Sequence, residues 1–265
     1  MRKVNVDGLD IAHQRAGTGP PLVLLHGFIS DSRAWQPQIE DLSRDFDVIA
    51  WDAPGCGESS DPGEHFSMAE FADCLAGLLD SLGVSSAHLL GLSWGGTMAL
   101  EFHHRHRKRV SSLILADTYA GWTGSLGVEA AEQRLARCLG ESEMPARDWV
   151  PQWVPEAFSS SAPKTLLDTY VAIMSDVHPV GFRAMSRTVA PDFRELLPLI
   201  DIPTLLIWGN EDKRSPVRCG EAMRDAIPAA RLLVIPNAGH VSNMEQPAQF
   251  NAAVREFLHP IDSSA

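Results

Sequence analysis

The stretch Gly91-Leu92-Ser93-Trp94-Gly95-Gly96 (GLSWGG) follows the apolar run AHLL (87–90) and precedes TMALEFHHRH (97–106), a segment with helical character. A small hydroxyl residue between glycines, where a buried strand must become a helix, predicts a sharp turn. Side chains at Gly91 and Gly95 would collide with neighbouring backbone while Ser93 is held in a strained conformation. Such a turn lifts the Ser93 Oγ above the edge of a sheet and aims the N-terminus of the next helix at it.

Outward from this point the same rhythm repeats. PPLVLLHG (20–27), DVIAWDAPG (47–55), AHLLGLS (87–93), VSSLILADT (110–118), TLLIWGNED (204–212) and ARLLVIPNAGH (230–240) are continuous apolar runs without polar alternation. Short runs rich in Val, Ile and Leu are what parallel strands covered on both faces require. Ahead of them, VNVDGLDIAHQRAG (4–17) reads as two strands joined by a tight turn at Asp7-Gly8.

Helical segments separate the runs. The clearest is FSMAEFADCLAGLLDSLG (66–83): Ser67 and Glu70 form a capping box, Phe71, Leu75, Leu78, Leu79 and Leu82 make an apolar stripe, and Gly83 stops the helix. SRAWQPQIEDLSRD (32–45), CGEAMRDAI (219–227) and QPAQFNAAVREFL (246–258) are further candidates. Alternating strands and helices predict an α/β fold with a mostly parallel, doubly wound sheet.

The alternation stops between VSSLILADT and TLLIWGNED. That interval holds no strand-like run, but has helical pieces at 128–140, 162–177 and 180–190 and the tryptophans Trp122, Trp149 and Trp153. It is too long for a loop. The expected organisation is a core of residues 1–120 and 199–265 with a helical lid, 121–198, inserted into it.

Composition limits the partners. A chain of 265 residues, 45% of them hydrophobic, can bury the core of one large domain with an insertion. With 22 Lys+Arg against 34 Asp+Glu, the net charge of −12 makes nucleic acid and anionic membrane surfaces poor partners. The one dense basic patch, HHRHRKR (103–109), falls at the end of a predicted helix, where cations complement the helix dipole; that reading is preferred over a metal site. Cys56, Cys74, Cys138 and Cys219 are scattered without CxxC spacing and read as free thiols of a reducing compartment. The N-terminus has no apolar signal region and no window approaches a membrane span, so a cytoplasmic location is expected. Nothing in the chain distinguishes a monomer from a homo-oligomer.

Ligands of parallel α/β sheets sit beyond the carboxyl ends of the strands, which is where Ser93 falls. A serine hydroxyl is a weak nucleophile and needs a base held by an acid. The candidate base is His240 in NAGH, and the candidate acid is Asp212 in GNED. Glu211, one residue earlier, and Asp117, at the end of LILAD, are alternative acids, with a cap or wall role preferred for Asp117.

HGF (26–28), DAPGCGESS (52–60), GLSWGG, GNED and AGH occur in one order along nearly the whole chain. In that order they resemble the α/β-hydrolase superfamily, and SNMEQPAQFNAAVREFL (242–258) is similar to its esterase and 3-oxoadipate enol-lactonase branch. The resemblance implies the α/β-hydrolase fold and a cofactor-independent, metal-free serine hydrolase for a small carboxylic ester or lactone. Ser93, Asp212 and His240 would be catalytic, and the backbone N–H groups of Phe28 and Trp94 would form the oxyanion hole. Ile29, Trp122, Trp149, Trp153 and Val241 are candidates for the substrate pocket. His26 is expected to shape the oxyanion loop and Asp52 to stabilise a turn. A serine at the elbow argues against the dehalogenases and epoxide hydrolases of the superfamily, which use aspartate, and Ile29 replaces the proline common in haloperoxidase-like relatives. Carbon–carbon bond hydrolases share the serine and stay within the reading, as does a ligand receptor built on a hydrolase scaffold.

Overall fold

The computed structural model describes residues 1–262. Strands β1 (Arg2–Val6) and β2 (Leu9–Ala16) pair antiparallel across Asp7 and Gly8. Both turn residues have positive φ (48° and 91°), as a two-residue hairpin turn of this hand requires. The six apolar runs supply β3 (Pro21–Leu25), β4 (Asp47–Trp51), β5 (Ala87–Leu92), β6 (Val110–Ala116), β7 (Thr204–Gly209) and β8 (Arg231–Ile235). They form one sheet of order β1-β2-β4-β3-β5-β6-β7-β8. β2 meets β4 antiparallel, and every later pairing is parallel.

Helices α1 (Gln36–Leu42), α2 (Met68–Ser81) and α3 (Trp94–Arg105) connect the first half of the sheet. The capping box is formed: the Glu70 N–H donates to Ser67 Oγ (3.2 Å) and the Ser67 N–H donates to Glu70 Oε2 (2.8 Å). The basic patch closes α3, with Arg105 and His106 on Asp73 and Arg107 on Asp201. All four cysteines are free and buried.

Between β6 and β7 the chain makes α4 (Trp122–Leu126), α5 (Val128–Glu141), α6 (Ala146–Ala157), α7 (Lys164–Ser175) and α8 (Pro179–Val189). The sequence reading names no helix over α6, which contains Pro151 and Pro155, each of which removes a helical hydrogen bond. Burial of Trp149, Val150, Trp153, Val154 and Ala157 on one face outweighs that loss. Helices α9 (Val217–Ala226), α10 (Ser242–Glu245) and α11 (Pro247–Asp262) complete the fold. No helix among the described residues is long and apolar enough to cross a membrane.

One expectation fails at the sheet edge. Strands β3 to β7 are buried almost throughout, but β8 is not covered on both faces: Leu233 and Val234 are exposed. An edge strand has a neighbour on one side only, so its continuous apolar run resembles that of a central strand without sharing its burial.

The inserted helices are seated on the core by close contact. The backbones of Gly55 and Gly181 approach so nearly that a Cβ on either would strike the other. His178 pairs with Asp61 (2.7 Å) and the Arg183 Nε donates to Glu64 Oε2 (3.1 Å).

Burial pushes the imidazoles of His13, His26 and His103 below the ordinary histidine range. A lowered folded-state value means that the unfolded chain takes up protons first. The stability from burying neutral rings is present above about pH 6.5 and is lost as pH falls below it. Thermal unfolding followed from roughly pH 8 to pH 5 is therefore expected to show a falling Tm below about pH 6.5. His13→Leu, an apolar replacement at a fully buried site, should flatten part of that slope; an unchanged slope would remove His13 from the account.

Candidate active site

Ser93 caps α3 with φ 53° and ψ −117°, a conformation serine rarely adopts. The glycines have the role their spacing implies. A Cβ at Gly91 would meet the Gly95 carbonyl, and one at Gly95 would meet the carbonyls of Leu25 and His26 at the end of β3. Four hydrogen bonds hold the turn: the Ser93 N–H donates to Ala116 O (2.9 Å), and the Ser93 carbonyl accepts from the Gly96 and Thr97 N–H groups and from Thr118 Oγ1 (2.5 Å).

His240 follows β8. Its own N–H donates to Ala157 O (2.7 Å) at the end of α6, and the Gly239 N–H donates to Glu245 Oε1 (2.6 Å). The ring bridges two partners, with Nε2 2.8 Å from Ser93 Oγ and Nδ1 2.8 Å from Asp212 Oδ2. An ionised carboxylate only accepts, so Nδ1 carries the proton and donates to Asp212, leaving Nε2 free to accept from the serine hydroxyl. The other carboxylate oxygen, Asp212 Oδ1, accepts from the N–H groups of Arg214 (2.8 Å) and Ser215 (2.9 Å), which fixes the acid. All three side chains are buried.

The alternative acids are engaged elsewhere. Glu211 Oε2 accepts from the N–H and hydroxyl of Ser160, both at 3.0 Å, and so holds the chain after α6. Asp117 is fully buried at the end of β6: Oδ1 accepts from the Gly209 N–H (2.8 Å), and Oδ2 accepts from the Ser242 hydroxyl (2.6 Å) and N–H (3.2 Å). Burial, followed by the charge of Asp212, pushes its carboxyl well above the usual carboxylate range.

His26 and Asp52 are both scaffold residues. His26 Nε2 accepts from the Ala53 N–H (2.9 Å) and Nδ1 donates to Gly27 O (2.9 Å). Burial holds this ring below the ordinary histidine range, in keeping with the neutral tautomer the two bonds need. Asp52 accepts from the N–H groups of Ser32 and Glu58, both at 2.9 Å.

Ser93 and His240 open into a cavity walled mainly by aromatic and apolar side chains, with a few polar groups among them, the composition of a small-molecule site. Phe28 and Trp94, the expected oxyanion-hole donors, line it beside Ser93. The Trp94 N–H is the first of α3 and has no acceptor within the helix. Of the expected pocket residues, Trp122 and Trp153 are in the wall. Ile29, Trp149 and Val241 are not: all three are buried behind it, and Trp149 packs against Trp153 and Phe182. Lining residues that the sequence reading misses include Tyr119, Arg134, Arg137, Glu156, Tyr170 and Arg214.

A model of the family described as "Alpha/beta hydrolase family" matches residues 22–253. The chain belongs to the alpha/beta hydrolase family. Among solved structures of the same fold, a thermophilic esterase from Thermogutta terrifontis, determined with malate bound, superposes with a TM-score of 0.92 at 33% identity, covering 99% of this chain and 100% of that one. Est816, described as an N-acyl homoserine lactone degrading enzyme, superposes with a TM-score of 0.83 at 28% identity, over 97% of this chain and 100% of that one. The 3-oxoadipate enol-lactonase 1 of Acinetobacter baylyi is 29% identical over 91% of this chain and 90% of its own length.

In this alpha/beta hydrolase Asp117 ties the ends of β6 and β7 to the start of α10, two residues after His240. Asp117→Ala would leave the donors of Gly209 and Ser242 buried without acceptors. The expected loss is about 2–4 kcal/mol of folding free energy, read from urea unfolding midpoints. A loss below about 1 kcal/mol would mean that water or rearrangement satisfies those donors.

Proposed function

We propose that this alpha/beta hydrolase cleaves a small carboxylic ester or lactone through an acyl-enzyme on Ser93, without cofactor or metal. One observation carries the reading: the hydrogen-bonded line from Ser93 Oγ through His240 to Asp212 ends at a closed-over cavity. The printed activities of the esterase and lactone-degrading relatives support the same substrate class.

In the first step Ser93 Oγ attacks the substrate carbonyl carbon as its proton passes to His240 Nε2. Asp212 stabilises the imidazolium and keeps its orientation. The carbonyl oxygen, now negative, is met by the N–H groups of Phe28 and Trp94; in comparable enzymes loss of one such donor costs roughly 3–4 kcal/mol. Collapse breaks the bond to the alkoxy leaving group, which takes the proton from His240. Water, deprotonated by the same nitrogen, then attacks the acyl carbon, and Ser93 departs with its proton restored. For a lactone both halves leave as one hydroxy acid. Residues 121–198 act as the lid over this chemistry, and Trp122 and Trp153 shape the space the substrate fills.

The test is turnover of a chain-length series of p-nitrophenyl esters and of several lactones. Ser93→Ala is expected to abolish turnover without changing the circular dichroism spectrum. Asp212→Asn should lower kcat by on the order of 10⁴, because the wrong tautomer of His240 is favoured, whereas Glu211→Gln should leave most activity. Full activity of purified Ser93→Ala would overturn the mechanism, and equal effects at positions 211 and 212 would overturn the choice of acid.

A further inference from the structure

Most arginines of this chain are neutralised by carboxylates. Arg15 grips Asp47, Arg33 grips Asp31, and Arg255 spans Asp41 and Asp45. Two arginines of the cavity wall differ. The Arg214 Nη2 donates to a neutral acceptor, Trp153 O (2.8 Å), and its Nε is buried without a hydrogen-bond partner. The Arg134 Nη1 donates to the Tyr119 hydroxyl (2.9 Å), and its Nη2 reaches Arg214 O at 3.5 Å. The two guanidinium groups lie over aromatic faces, Arg214 on Trp153 (4.6 Å) and Arg134 on Trp122 (5.4 Å), which fixes them without cancelling their charge.

The surrounding groups do not hold it in a short hydrogen-bonded pair either. Glu156 offsets it only in part: it makes a long ion pair with Arg214 at 3.9 Å, is shared with Arg137 at the same distance, and its side chain is 54% exposed. Burial pushes the Tyr119 hydroxyl up to about 12, so it stays neutral beside Arg134. Asp212 is committed to His240, and Arg137 is served by Glu141. Burial also pulls Arg214 below the ordinary arginine range. A second buried donor of the wall, Trp153 Nε1, likewise lacks an acceptor. In a chain with 34 acidic residues against 22 basic ones, carboxylates are plentiful. Half-buried guanidinium groups without a hydrogen-bonded carboxylate among the described residues are suited to an anion that arrives with the ligand.

We propose that Arg214 and Arg134 form a carboxylate subsite, so that the ester or lactone hydrolysed at Ser93 carries a free carboxylate. This rests on the ester or lactone reading above. The planar fork of Arg214 matches a carboxylate, and the Trp153 indole N–H adds a donor to the same wall.

The experiment compares the monomethyl esters of succinic, glutaric and adipic acids with the corresponding dimethyl esters, for the wild-type protein and for Arg214→Gln and Arg134→Gln. At the best chain length the wild type is expected to favour the half-ester by about tenfold or more in kcat/KM, mainly through KM, and Arg214→Gln should erase most of that ratio. Diesters turned over as well as half-esters at every length, with a ratio that neither variant changes, would overturn the subsite and leave the ester reading standing. No turnover of either series would count against the ester reading, and the subsite is then judged by binding. Calorimetric titration of Ser93→Ala with the half-esters should show affinity that weakens about tenfold when Arg214→Gln is added. Equal binding by both proteins, or none at roughly millimolar concentration, would overturn it.

Discussion

The backbone of Ser93 sits at φ 53°, and the remainder of the site is arranged around keeping it there. Such a residue costs of order 1–3 kcal/mol and persists only where its surroundings over-determine it. Here the strand β6 neighbour accepts the Ser93 N–H, and three donors converge on its carbonyl. The same tightness has a second effect. Because Gly95 lies directly against the carbonyls of Leu25 and His26, the loop after β3 that carries Phe28 is held at a fixed distance from the elbow. His26 then anchors that loop sideways to Ala53 beyond β4. One strained residue thus sets the spacing of both candidate oxyanion donors.

The carboxyl ends of β6 and β7 present two buried acids, and their roles are divided by what donates to them. Asp212 has two N–H donors on one oxygen and the imidazole on the other, so its bonding leaves it to orient His240. Asp117 receives Gly209 and Ser242, groups that belong to the scaffold on either side of His240. Burial, and after it the charge of Asp212, pushes the Asp117 carboxyl well above the usual carboxylate range. The hydrogen bond to the imidazole and the tie across the strand ends therefore belong to different, neighbouring residues.

The strands, the hairpin, the capping box and the elbow were legible in the sequence because each has a local cause: an apolar run, an Asp-Gly pair, a Ser-Glu spacing, glycines beside a serine. The meeting of Ser93, Asp212 and His240 was legible too, since each follows an apolar run whose end the sheet order brings to one edge. What escaped depends on the tertiary arrangement. Helix α6 is held by buried tryptophans against its own prolines, and the exposure of β8 follows from its edge position, which its composition does not record. In the same way, Ile29 and Val241 are apolar neighbours of site residues in sequence but point into the core, while the arginines of the wall come from α5 and from the loop after Asp212.

The wall of the candidate site draws its residues from two parts of the chain. Ser93, His240, Phe28 and Trp94 come from the sheet and its loops, whereas Trp122, Arg134, Trp153, Tyr170, Met174 and Val189 come from the inserted helices. The two sets are joined at many points, some of them very close. The Trp94 indole donates to Thr188 in α8 (3.1 Å), and Gly55 and Gly181 touch backbone to backbone. Substitutions at wall side chains of α5 and α7 change the shape and charge of the cavity, whereas α6 is tied directly to His240 through the Ala157 carbonyl. A side chain at Gly181 would act on both parts: it would push α8 from the core and shift Thr188 against Trp94, linking the inserted helices to the elbow.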